Sequence, residues 1–121
     1  MFSEPSTILK QIDLASPARV ADFGTGVGSF AKAAAKIVQP QGKVYAIDVQ
    51  RELLARLQLD VEHEGISGIE TVWGNVEETH GSKLRDGSVD LVILGNVLFQ
   101  AESRTGILTE AFRVLRSGGS C

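Results

Sequence analysis

The sequence predicts an α/β fold, a doubly wound parallel sheet flanked by helices. Three observations carry that prediction. Apolar strand-like runs alternate with helix-forming segments, the connections are short, and a glycine-rich turn joins the first strand to the helix after it. Strand and helix in repeated alternation mean crossover units, and crossovers build parallel sheets. The strands are apolar runs rather than alternating ones, as expected where helices cover both faces.

Each element has its own local reason. Ser3 can cap a short helix with Pro5 in its first turn and Ile8, Leu9 and Ile12 on its apolar side; Ser16-Pro17 ends it. Arg19 to Phe23 is the first strand, running into Gly24-Thr25-Gly26-Val27-Gly28. From Ser29 the alanine run and Ile37-Val38 make a helix of strong helix formers, stopped by Pro40 and Gly42. Lys43 to Asp48 is the second strand. Leu53, Leu54, Leu57 and Val61 then form one stripe of an amphipathic helix ending near Gly65. Ile69 to Trp73 is the third strand, and 74–87 is a polar connection with room for a turn of helix. Val89 to Leu94, after an Asp-Gly-Ser turn, is the fourth strand. A broadly apolar helix carrying Ile107, Leu108, Ala111, Phe112, Val114 and Leu115 follows, with Gly118-Gly119 as its stop signal.

Length and composition bound the function. The chain has 121 residues, enough for a single domain, here 1–121. Fifteen acids against twelve bases give a net charge of −3, which argues against a general nucleic-acid binder. One cysteine, Cys121, rules out an internal disulfide and a cysteine-built zinc site, and a reducing cytoplasmic setting is expected. No apolar run is long enough to span a membrane, and the first ten residues lack the pattern of a signal peptide.

The chemistry concentrates in the glycine turn and two acids beside it. Glycines there let a ligand approach the backbone, and the N–H groups at the next helix start suit an anionic group. A tight turn with no ligand is the plainer alternative. The glycines fall at every second residue, so the dinucleotide fingerprint in this register puts Ser29 where its third glycine belongs. Asp22, two residues before the first glycine, would repel a pyrophosphate. Both features disfavour a nicotinamide-dependent oxidoreductase. An acid there suits a ligand with a positive charge as well as a carboxylate, such as an amino acid attached to a sulfonium. Asp48 ends the second strand, beside the turn, where a carboxylate can accept from both ribose hydroxyls; capping the next helix is its alternative role.

The string from Val20 to Gly28 resembles the first motif of class I S-adenosylmethionine-dependent methyltransferases, and Val44 to Asp48 resembles their ribose-binding motif. Gly74-Asn75-Val76 falls where that family keeps an acid facing the adenine amine; Asn75 departs from the pattern, although its amide oxygen can still accept. Asp90 to Asn96 resembles the fourth strand and the residues flanking the transferred methyl. Phe112 to Gly119 is similar to the turn before the fifth strand, with Ser117 replacing the usual proline. The resemblance covers about Phe2 to Gly119.

It implies a Rossmann-like sheet, S-adenosylmethionine as cofactor and S-adenosylhomocysteine as product. The cofactor-binding set it implies is Asp22, Phe23, Gly24, Thr25, Gly26, Gly28, Asp48, Val49, Asn75, Val76, Gly95 and Asn96. The family has seven strands, whereas this chain stops where the fifth would start. A shortened sheet of about four strands, order 3-2-1-4, is therefore expected, with the Val89–Leu94 strand at an open edge. Such an edge invites a second copy, so a homodimer joined there is expected.

Methyl transfer from a sulfonium needs positioning more than a protein nucleophile. Candidates for a general base are thin: His63 sits among acids on a helix, and His80 lies in the connection after the third strand. Trp73 is expected to pack in the core, with stacking on adenine as its other reading. Val97, Leu98 and Phe99 form an apolar lip suited to a small or lipophilic acceptor, or simply pack. Two readings stand: a small-molecule methyltransferase, and a non-catalytic cofactor-binding subunit completed by a partner or by a second copy.

Overall fold

The computed structural model describes residues 17–95, 97 and 101–120. The expected helix between Ser3 and Ile12 lies outside them. The described elements are β1 (Arg19–Phe23), α1 (Ser29–Val38), β2 (Lys43–Asp48), α2 (Arg51–Glu64), β3 (Ile69–Trp73), β4 (Val89–Ile93), α3 (Arg104–Val114) and β5 (Leu115–Ser120). They form one five-stranded sheet in the order β3-β2-β1-β4-β5, with every pairing parallel.

Alternation of side chains across each strand splits the core between the two faces. Val20, Val44, Ala46, Leu91 and Ile93 pack with α1 and α2 through Ala31, Ala34, Val38, Leu57 and Val61. Ala21, Phe23, Ile47 and Val92 pack on the other face with Ile107, Ala111 and Val114 of α3. The sheet is thus doubly wound, as its apolar strands required. The connection 74–88 is irregular, with turns and no helix.

Two expectations are corrected at the C-terminal end. The last helix stops at Val114, and Leu115–Ser120, with Gly118 and Gly119, is a strand rather than a helix stop. It pairs with β4 through Val89↔Leu115 and Leu91↔Ser120, with a bulge between. The β4 edge is therefore covered, and the fourth-strand dimer expected from an open edge has no edge to use. Asp90 helps seat the new strand: its carboxylate accepts from the Arg19 N–H on β1 and from Arg116 Nε on β5. Glycines weaken a strand signal, so this pairing was hidden by the two residues that most resemble a helix terminator.

Candidate functional site

The C-terminal tips of β1, β2, β3 and β4 open into one cavity of about 530 Å³. Open parallel sheets place their ligand crevices at this end. The glycine turn forms one wall. Gly24 and Thr25 N–H both donate to the Ile47 carbonyl, at 2.8 and 2.9 Å, which locks the turn against β2. Gly24, Gly26 and Gly28 all have positive φ, 72°, 56° and 87°, a region costly to residues with a Cβ. They differ in surroundings. A Cβ on Gly28 would meet Leu57 at 2.4 Å, and one on Gly24 would meet Val97 at 2.8 Å, whereas one on Gly26 would point into open space. Gly28 thus serves packing, while Gly26 leaves the backbone open to the cavity.

The two acids sit on either side of this turn. Asp48 is almost fully buried. Its Oδ2 accepts from the Gly26 N–H at 2.9 Å and its Oδ1 from the Gln50 N–H at 2.9 Å. Both readings of Asp48 meet here: it braces the start of α2 and lines the cavity. Asp22 is buried below the turn, with Oδ2 accepting from the Thr25 hydroxyl at 2.8 Å. Burial pushes its carboxyl up to about 6; the Thr25 hydroxyl opposes that rise, the Asp48 charge adds to it, and the Ala31 N–H opposes it. Gly28, the N-cap residue of α1, offers no side chain to the helix, so Asp22 captures one of its first N–H groups from below.

The third wall is the stretch after β3. Asn75 Oδ1 accepts from the Glu77 N–H at 3.0 Å, so the amide oxygen expected to face a ligand is engaged in a local turn. Glu77 in turn accepts from the Ser103 N–H ahead of α3, at 2.8 Å. This stretch is fastened from behind by Glu110, a fully buried acid on α3. Glu110 accepts from the His80 N–H, the Ser82 N–H and hydroxyl, and the Arg113 guanidinium. Burial alone would push its carboxyl up; these bonds, Arg113's first among them, outweigh it and hold Glu110 at about 2. His80 and Lys83, close to Ser82 in the same stretch, take positive φ of 64° and 66°.

Of the sequence-derived set, Asp22, Gly24, Thr25, Gly26, Asp48, Val49, Asn75, Val76 and Gly95 line the cavity. Phe23 and Gly28 do not: Phe23 is core, and Gly28 is the α1 cap against Leu57. Asn96, Leu98 and Phe99 lie outside the described residues, as does Cys121; Val97 lines the cavity. His63 and His80 are exposed and line none of it. Trp73 is not in the core; it is 54% exposed. Sequence reasoning missed Phe30, Gln50, Leu53 and Glu77 as lining residues. A signal existed for Gln50 and Leu53, since they open the helix directly after Asp48. Among the described residues no cluster of His, Cys, Asp and Glu could hold a metal, and no helix is long and apolar enough to cross a membrane.

A parallel sheet ordered 3-2-1-4-5, with a Gly-x-Gly-x-Gly turn and two flanking acids at its crevice, defines the Rossmann-like fold of class I S-adenosylmethionine-dependent methyltransferases. A family model described as a methyltransferase domain matches residues 21–121, and the chain belongs to that family, whose cofactor is S-adenosylmethionine. It is 30% identical over 105 residues to an arsenite methyltransferase of Aquipseudomonas alcaligenes, covering 84% of this chain and 30% of the relative. It is 32% identical over 110 residues to a demethylmenaquinone methyltransferase of Lactiplantibacillus plantarum, covering 91% and 46%. A SAM-dependent methyltransferase from Aquifex aeolicus superposes with a TM-score of 0.83 at 29% identity, over 93% of this chain and 58% of that one. The chain therefore spans less than half the length of these two curated relatives.

The residues present fit the family's cofactor. Gly26 exposes backbone to the cavity where a Cβ would protrude, and Asp48 offers a carboxylate beside it whose oxygens each keep a lone pair free.

Proposed function

We propose that the protein binds S-adenosylmethionine in the β1–β2 crevice and transfers its methyl group to a small-molecule acceptor by in-line displacement. The observation that carries this reading is the pairing of Asp22 and Asp48 across one glycine turn, both on the cavity. When bound, the cofactor supplies a methyl already activated by its sulfonium. Asp48 accepts from the ribose hydroxyls. The open backbone at Gly26 receives the amino-acid end, and Asp22 contributes negative charge beneath it. Val49, Asn75 and Val76 meet the base, and Gly95 stands nearest the transferred methyl. No histidine lies on the described cavity wall, which suits a reaction governed by approach distance rather than by a protein base.

Val97 on the cavity lip favours an acceptor that is small or lipophilic. The acceptors named for the relatives, arsenite and demethylmenaquinone, are the first to test. A protein with a single cysteine fits a cytoplasmic setting. A second reading keeps the cofactor site and assigns the acceptor pocket to a partner or to a second copy: a cofactor-binding subunit without catalysis of its own.

Calorimetric titration with S-adenosylhomocysteine tests the shared part of both readings. Saturable binding to the folded chain supports the site, and no binding overturns it. Methyl transfer by the isolated chain to either acceptor then selects the enzyme; binding without transfer to any acceptor selects the subunit.

A further inference from the structure

Trp73 stands at the end of β3 with 54% of its surface exposed. Burial gains little for an aromatic so placed, so other contacts must explain where it sits. Its indole Nε1–H donates to the Val49 carbonyl at 3.0 Å. The Arg51 guanidinium lies over the ring face, 3.7 Å from its centroid, a close cation–π arrangement. The first contact falls on the short segment that carries the chain from β2 into α2, and the second on the first residue of α2. Trp73 is also the sheet neighbour of Asp48, and the Gly74 N–H after it donates to the Asp48 carbonyl at 3.1 Å.

That segment is the part of the cavity wall most in need of support. Val49 lines the cavity and is 56% exposed, an apolar side chain standing in open space. Gln50 provides no side-chain cap to α2, and the Asp48 carboxylate does part of that work through the Gln50 N–H. Freeing the Val49 carbonyl would let the Asp48–Gln50 turn rotate, moving the carboxylate and the Val49 side chain together.

We propose that Trp73 is a positioning residue for the bound nucleoside: through the Val49 carbonyl it fixes where the Asp48 carboxylate and the Val49 side chain meet the ligand. Arg51, stacked on the outer face of the ring, holds the indole in the orientation that makes the hydrogen bond. This inference rests on the cofactor reading of the cavity given above. It extends that site to a residue that does not line it.

The experiment is calorimetric titration of the full chain with S-adenosylhomocysteine, using Trp73→Phe, Val49→Ala and the double variant. Trp73→Phe keeps an aromatic ring beneath Arg51 and removes the N–H donor together with part of the ring area. It is expected to weaken affinity roughly fivefold, the net worth of one hydrogen bond. The loss from Val49→Ala should be smaller in the Trp73→Phe background than alone, because the two act through one element. Trp73 is the sole tryptophan, so its emission should also change on binding. Should Trp73→Phe fail to fold, Arg51→Met frees the ring without removing the donor and is expected to give a smaller loss of the same kind. Unchanged affinity in the variant, or strictly additive losses that follow the drop in melting temperature, would overturn the proposal and leave the site standing. An absence of binding by the unsubstituted chain would remove the cofactor reading itself, and this inference with it.

Discussion

The Asp48 carboxylate and the Gly26 amide are joined by a 2.9 Å hydrogen bond that ties the tip of β2 to the turn leaving β1. With its other oxygen on the Gln50 N–H, the same side chain is scaffold and candidate ligand contact. Asp48→Ala should therefore lower stability, by about 1–3 kcal/mol for the charge-assisted bonds lost, and abolish binding of S-adenosylhomocysteine. Asp48→Asn keeps one accepting oxygen and should recover part of the stability without the affinity. Urea denaturation alongside calorimetry separates the two effects.

Gly26 and Gly28 share a positive φ but should fail differently. Gly28→Ala adds a clash with Leu57 to the backbone strain, so a stability loss of about 2–4 kcal/mol is expected. Gly26→Ala has strain but no clash, and its new methyl enters the cavity. It should lose about 1–2 kcal/mol of stability and a larger share of ligand affinity. Thermal melts with and without S-adenosylhomocysteine distinguish them.

Asp22 titrates at about 6 in the folded chain against 3.8 in water. Between those values the unfolded chain releases its proton first, so the contribution of Asp22 to stability is highest below pH 3.8 and declines as pH rises to about 6. The whole difference is on the order of 3 kcal/mol, and Asp22→Asn should flatten it, as urea midpoints across that window will show. A cationic ligand beside Asp22 favours the ionised form. Its affinity should rise with pH up to about 6, with proton release near pH 5 visible in buffers of different ionisation enthalpy.

Glu110 slopes the other way. Its folded carboxyl ionises at about 2 against an ordinary 4.5, so its contribution is present above pH 4.5 and is lost as pH falls toward 2. Glu110→Ala removes the acceptor of the His80 and Ser82 N–H groups and one partner of Arg113, which keeps Asp86 and the Leu84 carbonyl, and a loss of about 1–3 kcal/mol in urea denaturation is expected. Because the 75–83 stretch is fastened there, ligand affinity should fall with it.

Much of this was legible in the chain because it is local. The bounds of β2 follow from an apolar run closed by Asp48, β3 from β-favouring residues between Gly68 and Gly74, and α1 begins at Ser29 where the composition turns to helix formers. The glycine turn announced itself because three positive-φ positions in five residues leave little but glycine. Other features had no local trace. Leu115–Ser120 becomes a strand because β4 presents unpaired backbone groups beside it, overriding glycines that locally read as a stop. Trp73 is held at the surface by Arg51 and Val49, against an intrinsic preference for the core that the sequence alone would favour.

The sequence by itself determined the parallel α/β class and the turn on which the site is built, since periodicity and backbone permission act over a few residues; the order of the first four strands was implied by the family resemblance. Only the tertiary structure decided that β4 is covered, that Asp48 braces Gly26, and that Glu110 anchors the far wall of the cavity from some 30 positions away along the chain. Those are pairings between distant groups. Each depends on a donor and an acceptor being brought to hydrogen-bonding distance by the whole fold, which no window of neighbouring residues records.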